Sequence, residues 1–312
     1  MYAKTLSEIE EELLEVGIET VWSQWSALGA GTLQDRKDIS AIIDPEALLL
    51  LSLYLIPEER RLRDLVQWWA EVGSELLSLQ RTKTLLDDFP SEVNRRVKTY
   101  SRWATEAGDK RWQKYAEEDP QQFDRDRKGP EKPDLGSPSS LLYRLRAGFG
   151  VGAKADVLAY LLGIGEQSAT TKEAVRATSY SRATVQGALG DLSRAGFIKS
   201  TSEYPREYFA PLGPWETLVL GDNRSNDRFP QWRHWGKVYA FLARSRRWIE
   251  EAENQSEYIS STRARDIFEH FQTTFEANRV QVPSPEKYQG SKYVDGFVQT
   301  VAKVTEWTEK NV

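Results

Sequence analysis

Helical periodicity of the apolar residues is the feature that most constrains the fold of this chain. In residues 1–118 apolar side chains recur at intervals of three and four, as Ile9, Leu13 and Val16 do, and strand-like alternation is absent. The same spacing returns after Pro214. It places apolar residues on one side of an α-helix, whereas strands need a period of two. The sequence therefore predicts a mainly α-helical protein.

Composition divides the chain into four predicted segments. Residues 1–118 read as an acidic N-terminal helical domain, and residues 213–312 as a C-terminal helical domain. Residues 119–138 are rich in proline and charge and hold few large apolar side chains, so they bury too little surface to offset their ordering entropy. We interpret them as a linker, either a solvated spacer or a basic arm that touches phosphate. Residues 139–212 form the fourth segment.

The net charge of −5 is distributed unevenly over the 312 residues. Residues 1–90 hold 17 acidic and 8 basic residues, so all of the net acidity lies there. This argues against a protein that is basic over its whole surface, and it predicts that any nucleic-acid surface lies after residue 90. The acidic segment is a candidate surface for a basic partner protein.

Several classes of chemistry are disfavoured by residue usage. The chain has no cysteine, one methionine and two histidines, His234 and His270. The absence of cysteine therefore excludes disulfides, thiolate nucleophiles and cysteine zinc sites. Soft-metal sites are also disfavoured, because their cysteine and methionine ligands are absent or scarce. No combination of nucleophile, base and orienting residue stands out. We expect a protein without enzymatic activity, cofactor or metal.

Membrane insertion is also not expected. The longest apolar run, residues 47–56, is interrupted by Ser52 and ends at Pro57. It is far shorter than the roughly 20 residues that cross a bilayer. Residues 1–12 lack the apolar core of a signal peptide. We expect a cytoplasmic protein.

Residues 139–212 carry the most specific pattern. Apolar spacing and capping residues predict helices, a tight turn at 179–180, a third helix that begins after Ser181, and a returning pair of strands. The predicted helices span residues 154–162, 172–178 and 181–195, and the strands span 197–201 and 206–210. Three helices followed by a β-hairpin are the layout of a winged helix-turn-helix.

The local sequence resembles bacterial winged-helix transcription regulators. Ser181-Arg-Ala-Thr-Val185 matches the Ser-x-x-Thr-Val start of their recognition helix, and Gly196-Phe-Ile198 resembles the Gly-Leu-Ile exit into the first wing strand. Residues 150–162 look like the first helix of the same module. The resemblance is limited to residues 148–210 and implies a winged helix between two all-helical domains.

Docking geometry then predicts which residues contact DNA. The third helix of such a module enters the major groove with its N-terminus first. Its outer face carries Arg182, Ala183 and Gln186, with Thr184 close by. Arg182 suits the O6 and N7 atoms of guanine, and Gln186 suits the N6 and N7 atoms of adenine. Ser181 and the free N–H groups of that helix end suit a phosphate.

The predicted phosphate contacts surround this helix. Thr171 and Lys172 open the second helix and are expected along the DNA backbone. Lys199 and Arg206 flank the turn of the wing and are expected at phosphate or in the minor groove. Tyr180, in the turn, either packs inward or donates to phosphate.

Two further features leave alternatives open. Gly187 and Gly190 share one side of the third helix, and they either allow close approach of another backbone or weaken the helix. Arg244, Arg246 and Arg247 form the densest basic cluster outside the module. This cluster either supports DNA binding or pairs with the acidic first domain.

The sequence therefore favours a sequence-specific regulator that binds double-stranded DNA, as a dimeric repressor of its own operon. A homodimer is expected because the third helix has few basic residues, so one copy makes few phosphate contacts. The alternative is an interaction protein, such as an antitoxin-like or defence-system subunit. In that case the winged helix is a docking scaffold and the acidic domain binds a basic partner.

Overall fold

The computed structural model describes residues 5–30, 39–116, 130–221, 229–252, 255–284, 288 and 290–312. Its α-helices are α1 (Leu6–Ala27), α2 (Pro45–Leu55), α3 (Leu62–Val72), α4 (Leu79–Leu86), α5 (Glu92–Glu106), α6 (Leu141–Phe149), α7 (Ala153–Gly163), α8 (Thr171–Thr178), α9 (Arg182–Arg194), α10 (Glu216–Leu220), α11 (Trp235–Ala252), α12 (Glu257–Ala277) and α13 (Tyr293–Asn311). The strands are β1 (Ala169–Thr170), β2 (Lys199–Ser200) and β3 (Glu207–Phe209). Short 3₁₀ segments include Ser74–Leu76 and Lys110–Tyr115.

Helices α1–α5 and α11–α13 pack around one hydrophobic core. Its large buried side chains come from both ends of the chain, Trp25 and Trp69 from one and Trp235 and Phe271 from the other. Helix α1 lies against α13, and α11 lies against α2. The segments predicted as separate N-terminal and C-terminal helical domains thus share a single core.

Helices α6–α10 and the small sheet pack around a second core. Leu158, Leu161, Val185 and Leu189 are fully buried in it. The sheet is antiparallel with the order β1-β3-β2, and Ala169 pairs with Tyr208 while Lys199 pairs with Phe209. The apolar face of α9 therefore faces inward, and its other face is left to solvent.

The two cores meet along a seam of backbone contacts. The N–H of Ile42 donates to the carbonyl of Gln231 at 2.9 Å, and the N–H of Trp232 donates to the carbonyl of Gly163 at 2.9 Å. A Cβ atom at Gly163 would lie 2.7 Å from Ile42 Cδ1 and 2.8 Å from the nitrogen of Trp232. Only glycine allows α7 to approach the seam this closely.

The predicted linker is described only from residue 130 onward, and its basic residues at 125–128 lie outside the described part. The described end packs against the first core. The indole of Trp68 donates to the carbonyl of Pro130 at 2.9 Å, and the N–H of Asp134 donates to Leu28 O at 2.8 Å.

The structure confirms the mainly helical prediction and adds one element to it. The predicted strands are shorter than expected, and β1 was not predicted, because two residues are too few to show a period of two. No helix in the described part of the chain combines the length and the apolar content that a membrane crossing requires.

Candidate nucleic-acid interface

Local hydrogen bonds fix the start of α8, and a residue in the left-handed conformation ends it. The Thr170 hydroxyl accepts from the N–H of Glu173, and the Glu173 carboxylate accepts from the N–H of Thr170 at 2.7 Å, which together form a capping box. Ser179 ends α8 in the left-handed conformation, with φ of 59°. This single residue turns the chain sharply, so that α9 begins only three residues later.

Ser181 caps α9, as the sequence predicts. Its hydroxyl accepts from the N–H of Thr184 at 3.2 Å and lies 2.8 Å from the Thr184 hydroxyl. Four residues of this helix end are exposed together with it: Arg182, Ala183, Thr184 and Gln186. The first turns of α9 therefore present a continuous surface, while Val185 on the opposite face is fully buried.

The predicted phosphate-contacting residues lie around this surface, with one exception. Lys172 at the start of α8 is exposed, and Thr171 beside it is partly exposed. Lys199 in β2 and Arg206 just before β3 are exposed on either side of the hairpin turn. Tyr180 instead lies inside, 5% exposed, and its hydroxyl donates to Ser78 Oγ at 3.1 Å. Of the two alternatives for Tyr180, the structure therefore shows inward packing.

Most cations near α9 have no acidic partner among the described residues. Asp191 holds Lys154 at 2.9 Å and Arg194 at 3.6 Å, and Lys154 lowers the pKa of Asp191. No carboxylate within the described ranges forms an ion pair with the other basic side chains of this region. These are Lys172, Arg176, Arg182, Lys199 and Arg206.

Beyond its first turn, one stripe of the outer face of α9 carries small residues. A Cβ atom added at Gly187 or Gly190 would meet nothing within 4 Å. Neither glycine therefore serves a close backbone contact with any described residue. With Ala183 one turn earlier, they form a face without long side chains, which another molecule can approach closely.

Beneath α8, two buried arginines join the two cores through carboxylates that sequence reasoning did not single out. Arg146 of α6 contacts Glu46 through Nη1 at 2.6 Å and Asp156 of α7 through Nη2 at 2.7 Å. Its Nε donates to the second oxygen of Asp156 at 2.8 Å. One guanidinium thus connects α2, α6 and α7.

Arg81 of α4 completes this buried ion cluster. It pairs with Glu46 at 2.5 Å and with Asp44, whose carboxylate also caps α2. Its Nε donates to the carbonyl of Thr178, the last residue of α8, at 3.1 Å. The C-terminal end of α8, and hence the turn into α9, is held directly by the cluster.

The buried ion cluster comprises Asp44, Glu46, Arg81, Arg146 and Asp156, each at most 4% exposed. Burial alone would raise the pKa of Glu46, but Arg146 and Arg81 beside it hold that pKa below its ordinary value. Burial disfavours the charge of Arg146 as well, and Asp156 and Glu46 more than offset this, so the pKa of Arg146 is raised. The charged forms of Glu46 and Arg146 therefore depend on the opposite charges beside them.

The basic cluster at 244–247 pairs with the acidic first segment, which was one of its two predicted roles. Arg246 contacts Glu58 at 2.8 Å and Glu10 at 3.4 Å. Arg247 contacts Glu92 at 2.9 Å. Part of the acidity of the N-terminal helices is thus neutralised within the chain.

Two further findings bear on what the molecule binds. Within the part of the chain that the structure describes, no three His, Asp or Glu side chains lie close enough together to hold a metal ion. Comparison with protein-family models, with curated proteins and with solved structures gave no significant match.

Proposed function

We propose that this protein is a sequence-specific regulator that binds double-stranded DNA through the first turns of α9. The observation that carries the proposal is the exposed start of α9, surrounded by cations on α8, α9 and the hairpin that have no carboxylate partner among the described residues. In this proposal α7–α9 with β2 and β3 act as a winged helix-turn-helix. A mainly helical structure with a small antiparallel sheet is compatible with that assignment.

The side chains on this surface suit base recognition. Arg182 presents two parallel N–H donors to guanine O6 and N7, and Gln186 presents a donor and an acceptor to adenine. The N-terminus of α9 carries partial positive charge, which favours a phosphate beside Ser181. Lys172, Lys199 and Arg206 attract the DNA backbone without reading sequence.

A dimer follows from the small number of these contacts. Affinity for DNA rises with each phosphate that a cation neutralises, and one copy offers only a few cations on this face. Two copies related by a two-fold axis would read two half-sites and double the number of phosphate contacts. We propose a homodimer that represses its own operon, a role that requires no chemical step.

The test is a fluorescence anisotropy titration on the DNA upstream of the gene, over a series of salt concentrations. Arg182→Ala and Gln186→Ala should each reduce the preference for the site, by about 1–3 kcal/mol per lost base contact. Arg206→Ala should weaken binding to all sequences alike and lower the salt slope by about one. Arg95→Ala, an exposed arginine of α5, is the matched control and should change neither. A wild-type protein without site preference at moderate salt would overturn the proposal.

A second candidate function rests on α1. Glu11, Glu15 and Glu19 are exposed at intervals of four, so they form one stripe on the helix. No basic group among the described residues pairs with any of the three. The stripe suits a basic partner protein, with the α9 face as a docking surface. Co-purification with the product of a neighbouring gene, abolished by Glu11→Gln/Glu15→Gln/Glu19→Gln and accompanied by no DNA affinity, would favour this function over the first.

A further inference from the structure

A cavity of about 270 Å³ lies between α4, α5 and the 3₁₀ segment Lys110–Tyr115. Its apolar wall includes Leu79, Leu86, Val97 and Trp112. The ring of Trp112 is 1% exposed and packs edge-on against Tyr100 at 5.1 Å, so this wall is rigid. The volume is close to the lower limit of small-molecule pockets, which are mostly apolar with a few polar groups.

The charged side chains described around this cavity are all basic. Lys83, Lys98 and Lys114 line it, and no aspartate or glutamate among the described residues does. The ammonium groups of Lys83 and Lys114 lie 4.2 and 5.0 Å from the centre of the Tyr115 ring. Hydrogen bonds from Lys114 and Lys83 lower the pKa of Tyr115, as expected beside two positive charges. Neither lysine forms an ion pair with a carboxylate in the described ranges.

A second cavity, near α11 and α12, differs from the cavity at α4 in the balance of its charges. It measures about 340 Å³ and is lined by three arginines and three carboxylates. Arg247 pairs there with Glu92 and Glu251, and Arg263 also pairs with Glu251. Arginines and carboxylates are present there in equal number, whereas Lys83 and Lys114 at the α4 cavity have no carboxylate partner among the described residues.

We infer that the cavity at α4 binds a small organic anion, a carboxylate with an apolar body. The apolar body would replace water against Leu79, Val97 and Trp112, and the carboxylate would pair with Lys83 and Lys114 at the mouth. A neutral molecule of the same shape would gain only the first contribution. A cation would meet two like charges.

Helix α4 links this cavity to the start of α9. One face of α4 lines the cavity through Leu79, Lys83 and Leu86. Another face holds Arg81, which donates to the last carbonyl of α8, and Ser78 precedes α4 and accepts from Tyr180. A ligand in the cavity would therefore contact α4, the same helix that holds the α8–α9 turn in place. This regulatory consequence, unlike the binding itself, rests on the proposed function.

The binding test is isothermal titration calorimetry of the full chain without DNA, with three probes that share one apolar body. These are 3-phenylpropionate, 3-phenylpropan-1-ol and 3-phenylpropylamine. We expect 3-phenylpropionate to bind at least tenfold more tightly than the alcohol, and the amine not to bind. Because no DNA is present, failure here leaves the proposed function standing, and failure of DNA binding leaves this result standing.

Two variants locate the site. Lys83→Gln/Lys114→Gln should reduce the affinity for 3-phenylpropionate to that of the alcohol and leave the alcohol unchanged. Both lysines are exposed, so the variant should fold, which a thermal melt verifies. Lys110→Gln, on the same 3₁₀ segment but outside the cavity lining, is the matched control. Absence of binding by all three probes, equal binding of the three, or unchanged binding by the double variant would each overturn the inference.

Discussion

The two sides of the α8–α9 unit differ sharply in how they use charge. On the inner side, two arginines and three carboxylates are almost completely buried, and each guanidinium contacts at least two other helices. On the outer side, Arg182 and Lys172 stand exposed without ionic partners among the described residues. Besides Gln186, the middle of α9 presents the small residues Ala183, Gly187 and Gly190 on its outer face.

This difference indicates that the fold fixes the orientation of α9 and does not surround α9 with a dense contact surface. Buried ion pairs contribute little net stability, since desolvation offsets their attraction, but removal of one partner leaves the other charge buried and uncompensated. The cluster connects α2, α4, α6 and α7 and holds the end of α8. The sparse outer face is thereby held in a fixed position relative to the helical body. Four predictions test this comparison.

The largest expected effect is the loss of a buried arginine. Arg146→Met leaves Glu46 and Asp156 buried with one cation fewer, and we expect a loss of about 3–5 kcal/mol of unfolding free energy. Arg182→Ala on the outer side should change stability by less than about 0.5 kcal/mol. Urea denaturation followed by circular dichroism measures both. Equal effects of the two variants would remove the contrast between the inner and outer sides.

A double variant sharpens this result. Arg146→Met/Asp156→Asn also removes the negative charge of Asp156, which loses its ion-pair partner in the single variant, so it should be more stable than Arg146→Met alone. A double variant that is no more stable than the single one would show that lost packing, and not unpaired charge, dominates.

A change of pH is expected to have a smaller effect on the free energy of unfolding, through the partly buried His234. Burial lowers the pKa of His234 to about 4, and the charge of Arg176 acts in the same direction. The unfolded chain therefore binds this proton near pH 6.5 while the folded chain does not, so stability falls as pH drops from about 6.5 towards 4. The loss is at most about 3 kcal/mol.

The variant His234→Asn tests this assignment. It should flatten the pH dependence of the unfolding free energy between about pH 6.5 and 4.5. Below that range both proteins should still lose stability, because Glu46 has a lowered pKa and its protonation removes a partner of both arginines. Parallel curves for wild type and variant above pH 4.5 would contradict the account of His234.

The smallest effects are expected on the outer side of α9. Gly187→Ala and Gly190→Ala meet no neighbouring atom, so each should raise stability by up to about 1 kcal/mol. Thermal melts measure the gain. If the bare face is a contact surface for DNA or a partner, the same variants should bind more weakly despite their greater stability. A loss of stability would show that the two glycines are needed within the fold.

Helix caps and exposed helix faces were predictable from the sequence because they depend on residues a few positions apart. Ser181 caps α9 as expected, since a side-chain acceptor three residues before a free N–H is visible in the sequence. The exposure of Arg182 and Gln186 followed from helical spacing with Val185 and Leu189.

Long-range pairing was not predictable from one sequence. Glu46 and Arg146 are 100 residues apart, and periodicity reports which face is buried but not against what it packs. The only signal was a charged residue within an apolar helix, at Glu46 in α2 and at Asp156 in α7. The shared core of α1 and α13, and the inward orientation of Tyr180, required coordinates for the same reason.

The most direct test of the central claim is selection from a pool of random duplexes by the wild-type protein near physiological salt. We expect enrichment of one motif, repeated in two half-sites about ten base pairs apart or at a multiple of that spacing. Arg182→Ala/Gln186→Ala should lose the enrichment while it keeps the fold. A wild-type protein that enriches no sequence, or a double variant that enriches the same motif as strongly, would contradict the claim that the start of α9 reads DNA.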